Sequence, residues 1–300
     1  MGFETKYIRE NGKKLQWDDS KIHTVNHALH YGTAVFEGIR IYQTEKGPKI
    51  FRLTDHMKRF VHSMQCININ TDFSINDLNE ATKELIKING IENGYIRPIA
   101  WYGSGKMGLN PAGAEQNISI SVRSWGKYLS ENPINVCISS YIRPHPQSAI
   151  MTAKISGYYI NSVFANTEAK ANGYDEALLL DNEGNVAEGP GENIFFIKDK
   201  YLYTPNSKSI LPGITRDTIT NAVAKDLGYI VEETSISPNK IQNFDEAFFV
   251  GTAAEVTPIQ KIQETNGNII SYSADKSYEI ADYYQKIVTG QIDKYKYWNE

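Results

Sequence analysis

The chain has 300 residues, of which 41% are hydrophobic, 22% charged and 11% aromatic; this is globular composition, ample for two medium domains with buried cores, and it excludes a disordered or fibrous protein. The 31 basic and 35 acidic residues leave a net charge of −4 with no block of like charge, which argues against nucleic acid or an anionic membrane as main partner and requires local basic groups for any anionic substrate. Cys66 and Cys137, each in an apolar context, read as buried thiols in a reducing compartment; the start MGFETKYIREN has no apolar run of signal-peptide length, Lys6 stands where a myristoylation signal wants Ser or Thr, and no stretch is long enough to span a bilayer, so a cytoplasmic protein is expected.

From Ile50 to Ser63, IFRLTDHMKRFVHS reads as a short strand followed by a helix that starts near Thr54 or Asp55, with Arg59 one turn in. DLNEATKELIKING, from Asp77, repeats apolar or small residues at Leu78, Ala81, Leu85 and Ile88 and is closed by Gly90, a second helix. YIRPIAWYG from Tyr95 and NISISVRSW from Asn117 are β-branched and aromatic, and predict strands. Residues 1–124 thus form a small α/β domain, and GKYLSENP within residues 125–133 is the linker. Residues 134–300 form a large domain with strands at 134–140, 176–181, 193–198, 201–204 and 246–251. Its helices are expected from Asn161 to Gly173, from Thr215 to Gly228 and from Tyr278 to Val288. No internal repeat or low-complexity segment occurs.

Six stretches combine polar groups with glycine, small or aromatic residues: HYGTAVFEGIR from His30, YIRP from Tyr95, AKISGYY from Ala153, EGPGENIF from Glu188, LPGIT from Leu211 and GTAAEVTP from Gly251. Singly they say little, since a glycine-rich turn is more often a hairpin than a phosphate cradle and a lone lysine is usually a solvated surface group. YIRP even recurs at Tyr141. LPGIT alone has a local physical rationale, because it precedes a helix whose first-turn amides and positive dipole end favour an anion, although Thr215 also serves simply as an N-cap.

In this order and spacing the six stretches resemble the branched-chain amino-acid aminotransferases among the fold-type-IV pyridoxal-phosphate enzymes, over the span from His27 to Pro258. The resemblance implies a mixed α/β (α+β), two-domain architecture like that of D-amino-acid aminotransferase, with the cofactor at the domain junction, Lys154 and Glu188 on the large domain and the aromatic wall largely on the small one. It implies pyridoxal 5′-phosphate as cofactor, no metal, and transamination between leucine, isoleucine or valine and 2-oxoglutarate. Lys154 matches the lysine that carries the cofactor and moves the substrate proton, a role served by a neutral amine in a desolvated setting. Glu188 matches the glutamate at the pyridine nitrogen, where a carboxylate keeps the ring protonated. Phosphate binding falls to Arg59, to the amides of Ile214 and Thr215, and to Thr252, and Tyr159 matches the tyrosine at the phenolic oxygen. Phe36, Tyr31, Tyr128 and Tyr159 match the aromatic walls; Arg97, with the Tyr31 hydroxyl, matches the receptor of glutamate's distal carboxylate; and the α-carboxylate meets the amides of Thr252 and Ala253 and the hydroxyl of Tyr95.

Homodimers or larger assemblies are implied as well, with Met107 and Leu109 of GSGKMGLN covering a neighbouring subunit's site. Pro190, Ser156 and Tyr158 depart from the usual family pattern, which bears on fine substrate preference. A D-amino-acid aminotransferase, an aminodeoxychorismate lyase and a catalytically silent binding protein on the same fold are the alternatives. YIRP at Tyr95, HYGTAVFEGIR and GTAAEVTP speak against the first two, and the joint presence of Lys154 and Glu188 against the third.

Overall fold

The computed structural model describes residues 4–126 and 132–300. They fall into two compact units: residues up to Gly126 together with Ala153–Gly157 and Ile287–Glu300, and the remainder through Lys286.

The first unit contains β1 (Tyr7–Glu10), β2 (Lys13–Gln16), α1 (His27–Tyr31), β3 (Ala34–Phe36), β4 (Ile39–Thr44), β5 (Gly47–Ile50), α2 (Leu53–Cys66), α3 (Ile75–Asn89), β6 (Gly94–Tyr102) and β7 (Gln116–Ser124). Its sheet has the order β2-β1-β7-β6-β4-β5, with β3 also paired to β6, and the named pairs are antiparallel. Helix α2 buries Leu53, Met57, Phe60 and Met64, the three- and four-residue spacing that keeps one helical face on a core. Helix α3 begins two residues before the expected Asp77, because Ser74 and Asp77 form a capping box, and it ends at Gly90 in the left-handed conformation as expected.

The expected N-cap of α2 is displaced. Arg52, with φ 54° and ψ 39°, precedes the helix, and the Glu300 side chain accepts hydrogen bonds from the Thr54 N–H and hydroxyl. Ile50 and Glu300 exchange backbone hydrogen bonds, and the Arg52 guanidinium lies 4.7 Å from the Trp298 ring. A cap supplied from 246 residues away is invisible to a local reading, and it explains why the C-terminal residues group with the first unit rather than with the expected large domain.

The second unit contains β8 (Ile134–Ile138), α4 (Tyr159–Ala171), β9 (Glu176–Leu180), β10 (Val186–Glu188), β11 (Asn193–Lys198), β12 (Tyr201–Pro205), α5 (Ile214–Thr218) continuing through a π-helical turn (Ile219–Val223) into α6 (Ala224–Leu227), β13 (Ile230–Thr234), β14 (Glu246–Gly251), β15 (Glu255–Gln263), β16 (Ile269–Ser271) and α7 (Asp275–Val288), whose last two residues group with the first unit. The sheet order is β10-β9-β8-β15-β14-β11-β12-β13, with β16 on β15. The pairs β8–β9, β8–β15 and β12–β13 are parallel. Val136, Leu178, Phe196, Phe249 and Ile259 form part of its core.

Helix α4 starts at Tyr159 after a 3₁₀ turn, two residues before the expected cap Asn161, whose side-chain amide instead donates to the Ile142 carbonyl. It buries only Ser162, Ala165 and Ala169, the two alanines packing with Cys137, Ala177 and Leu179. Ile160, Val163 and Phe164 on its other face stay 55%, 53% and 48% exposed. Small residues inside and large apolar ones outside invert the usual amphipathic arrangement.

Candidate functional site

In the first unit, Lys154 sits on an extended segment held by its backbone. Its N–H donates to the Ser63 hydroxyl of α2 at 2.9 Å, and its carbonyl accepts the Phe36 N–H at 3.1 Å. Ile155 forms a bridge with Val35, and the Gly157 N–H donates to the Gly32 carbonyl at 3.1 Å. A Cβ on Gly32, already left-handed at φ 68°, would lie 2.7 Å from the Gly157 Cα, so the two glycines permit this close crossing. These bonds place Ala153–Gly157 in the first unit, correcting the expectation that Lys154 belongs with Glu188 on the large domain.

The Lys154 amine lies 4.9 Å from the Phe36 ring centroid, and the Arg97 guanidinium lies 4.7 Å from the same ring. Arg97 and Tyr95, two apart on β6, share a face of the strand, and an Arg97 Nη donates to the Tyr95 hydroxyl oxygen at 3.2 Å. The Trp125 ring stacks on Tyr95 at 5.1 Å, and the Tyr95 hydroxyl is seated where a Gly38 Cβ would be, 1.8 Å away. Trp125, read from the sequence only as the end of the strand NISISVRSW, is not among the candidate site residues. The Tyr31 hydroxyl donates to the Met107 carbonyl at 2.9 Å, and Arg97 is held by Tyr95. His27, buried, reaches the same loop through the Gly108 carbonyl. Tyr128 lies outside the described residues.

Arg59 projects from α2 onto Glu37, with Nε 2.6 Å from Oε1 and Nη2 3.0 Å from Oε2. His56 Nδ1 stands 2.7 Å from the same Oε2, and a carboxylate that accepts there assigns the proton to Nδ1. Burial opposes charge on Glu37, but Arg59 and His56 outweigh it and hold the carboxyl far below its ordinary value. Burial, with help from Arg59 and Arg52, pushes His56 below its ordinary 6.5 despite the pull of Glu37. Both groups therefore bind fewer protons folded than unfolded, so stability is lost as pH falls, first below about 6.5 through His56 and then below about 4.5 through Glu37. A melting temperature that declines across this range, with the upper part of the decline flattened in His56→Gln, is the expected result; a profile unchanged by His56→Gln would contradict it.

In the second unit, Glu188 ends β10 and is buried among donors: an Arg143 Nη at 2.9 Å, the Asn193 amide at 2.9 Å and the Leu211 N–H at 3.2 Å. Arg143 is itself buried, with further bonds to the Ser209 carbonyl and the Ser162 hydroxyl. It belongs to the second YIRP, so the recurrence that looked uninformative supplies the counter-ion of a candidate site residue. Asn193 also donates to the Leu211 carbonyl, and its Oδ1 lies 2.0 Å from where a Gly213 Cβ would be, which ties the LPGIT turn to Glu188.

Gly213 is the N-cap of α5 and makes no side-chain cap hydrogen bond, and Ile214 and Thr215 form the first turn behind it. Thr252 and Ala253 lie in the three-residue hairpin loop between β14 and β15, closed by Glu255 at φ 56°. Tyr159 opens α4, and Tyr158, one of the departures from the family pattern, accepts the Ile150 N–H through its hydroxyl.

The residue types present fit pyridoxal phosphate: in the first unit an amine carried on a clamped backbone, and in the second a buried carboxylate and a glycine-capped helix start. Among the described residues no cluster has the makings of a metal site.

The family model "Amino-transferase class IV" matches residues 34–262. The chain is 44% identical to the branched-chain-amino-acid aminotransferase of Pseudomonas aeruginosa over 256 residues, 84% of this chain and 83% of that one. A solved structure of a branched-chain aminotransferase from Thermoproteus uzoniensis with norvaline superposes with a TM-score of 0.93 at 37% identity, covering 99% of both chains. The branched-chain amino acid aminotransferase of Thermobaculum terrenum in its PLP-form gives 0.92 at 32% identity, covering 100% of this chain and 99% of that one. With a family match across most of its length and relatives and structures that agree with it, the chain belongs to the class IV aminotransferases.

Proposed function

We propose that the protein is a pyridoxal-phosphate-dependent aminotransferase that exchanges amino groups between leucine, isoleucine or valine and 2-oxoglutarate. The observation that carries this reading is the Phe36 ring, flanked by the Lys154 amine at 4.9 Å and the Arg97 guanidinium at 4.7 Å. An apolar wall beside the reacting amine suits a branched aliphatic side chain, and a cation held against the same wall suits glutamate's distal carboxylate. The names of the relatives and the cofactor of the Thermobaculum terrenum protein point the same way.

Lys154 would hold the cofactor through its amine and would move the substrate's Cα proton as general base and acid. Arg59, the amides of Ile214 and Thr215, and Thr252 would hold the phosphate; Glu188 would keep the pyridine ring protonated and Tyr159 would hydrogen-bond the phenolic oxygen. The bound cofactor supplies an electron sink for the pair left when Cα loses its proton. In this reading the amides of Thr252 and Ala253 and the Tyr95 hydroxyl would bind the substrate's α-carboxylate, and Tyr31, Phe36 and Tyr159 would contact its side chain.

The test of dual recognition is Arg97→Met. A charge-assisted hydrogen bond contributes ~1.5–3 kcal/mol to glutamate and has no counterpart with leucine. Single-turnover kcat/KM should therefore fall about one to two orders of magnitude more for glutamate than for leucine. An equal loss with both amino acids would mean that Arg97 only supports β6 and Tyr95.

The protein works as a homodimer or larger assembly in this reading, with the outward face of α4 covered by a second copy. Ile160, Val163 and Phe164 are exposed on that face, and the exposed Tyr141 ring packs 5.5 Å from Phe164. Val163→Asp combined with Phe164→Asp should lower the mass measured by sedimentation, and an unchanged mass would remove α4 from the interface. Met107 and the 84% exposed Leu109 then cover a neighbouring copy's site. Among the described residues no helix is long and apolar enough to cross a membrane, and both cysteines are free, which supports placing the protein in the cytoplasm.

A further inference from the structure

We infer that Glu37 is a positioning residue that sets the guanidinium of Arg59 for the cofactor's phosphate, an inference that rests on the reading of Arg59 as a phosphate ligand. Glu37 is completely buried just after β3. Both of its oxygens engage one edge of Arg59, Oε1 with Nε at 2.6 Å and Oε2 with Nη2 at 3.0 Å. This two-point grip fixes the plane of a side chain that otherwise has large rotamer freedom.

His56, one helical turn before Arg59 on α2, donates to Oε2 at 2.7 Å, and the Gly38 N–H donates to the same atom at 3.2 Å. The carboxylate is therefore itself immobilised from two directions, by α2 and by the chain that continues β3. Glu37 also follows Phe36, whose N–H holds the Lys154 carbonyl, so one short strand sets the backbone of the amine and the plane of the guanidinium together.

Stability alone is a weak reason for such a cluster, because a buried ion pair can often be replaced by well-packed apolar residues without loss. A guanidinium that must meet an anion in a defined direction is a better one. The alternative, in which Glu37 merely balances charge, predicts the opposite sign: removing a negative charge beside Arg59 would tighten the binding of a phosphate dianion.

The experiment titrates apoenzyme with pyridoxal phosphate and, separately, with pyridoxal, which lacks the phosphate. The variants are Glu37→Gln, Glu37→Asp, Arg59→Met and the double variant Glu37→Gln/Arg59→Met, and thermal melts confirm that each folds. Arg59→Met and Glu37→Gln should each raise the dissociation constant for pyridoxal phosphate roughly tenfold or more and leave that for pyridoxal unchanged. The double variant should be no weaker than Arg59→Met alone, because Glu37 acts only through Arg59.

Glu37→Asp keeps the charge but is one methylene too short to grip both nitrogens, so it should show the same phosphate-dependent loss, and it decides the question if Glu37→Gln does not fold. The inference is overturned if the Glu37 variants bind pyridoxal phosphate as well as or better than the unaltered protein while Arg59→Met does not. Equal losses for the two ligands, or losses that add in the double variant, overturn it too. If Arg59→Met itself leaves pyridoxal phosphate binding unchanged, the phosphate role of Arg59 falls, and the positioning role with it.

Discussion

Replacing Lys154 by alanine should lower transamination turnover by about 10⁴-fold or more, because in its proposed role Lys154 both attaches the cofactor and moves the substrate proton, and positioned acid–base catalysis alone typically contributes ~10²–10⁴-fold. The fold should survive. The segment is held by its backbone, through the Ser63 hydroxyl, the Phe36 N–H, the Ile155–Val35 bridge and the Gly157–Gly32 contact, and alanine retains each of these bonds. Borohydride treatment of the unaltered protein should fix the cofactor on a peptide containing Lys154. Added small amines should restore part of the variant's activity by carrying the proton in place of the lost side chain. Recovery of the label on another lysine, or a variant that turns over near the normal rate, would refute the assignment.

Glu188→Gln should lower turnover by roughly 10²–10³-fold, the loss typical of removing one preorganised electrostatic group from a site. The surroundings of Glu188 add a consequence that the family resemblance does not suggest. Its carboxylate is the ion-pair partner of the buried Arg143, so the substitution leaves a guanidinium without its counter-charge, a change that costs about 3–5 kcal/mol of stability. A fall in activity with Glu188→Gln is therefore ambiguous alone, and the double variant Arg143→Met/Glu188→Gln resolves it. Removing both charges should recover much of the melting temperature, because no buried charge is left uncompensated, while activity stays low. If activity returns together with stability, Glu188 serves to hold Arg143 and the fold of the LPGIT turn, and the role at the pyridine nitrogen is lost.

Much of the candidate site was readable because it depends on short stretches whose residues act close to home. LPGIT reads as a turn before a helix, and the structure places Ile214 and Thr215 in the first turn of α5 behind a glycine cap. YIRP at Tyr95 reads as strand, and the alternation of a strand puts Tyr95 and Arg97 on one face where they hydrogen-bond. By contrast, Glu37 and Arg59 lie 22 positions apart, and only the packing of α2 next to β3 makes them an ion pair. Arg143 meets Glu188 across 45 positions, hidden in a motif copy that had no local reason to matter.

What the amino-acid sequence by itself determined was the mixed α/β class and the approximate strands and helices, which follow from local periodicity and turn chemistry, and the family, which follows from the resemblance carried by six stretches in order. Strands β8, β9, β11 and β14 start at the expected residues, and α3 ends at the expected glycine. Only the tertiary structure decided which residues share a unit and which partners hold them. Ala153–Gly157 joins the first unit through hydrogen bonds to α2 and β3, and the C-terminus joins it because Glu300 caps α2. The physical reason is the same in each case: a buried backbone amide, carboxylate or guanidinium must be satisfied by some partner, but which partner satisfies it is set by the packing of distant segments and not by its neighbours in the chain.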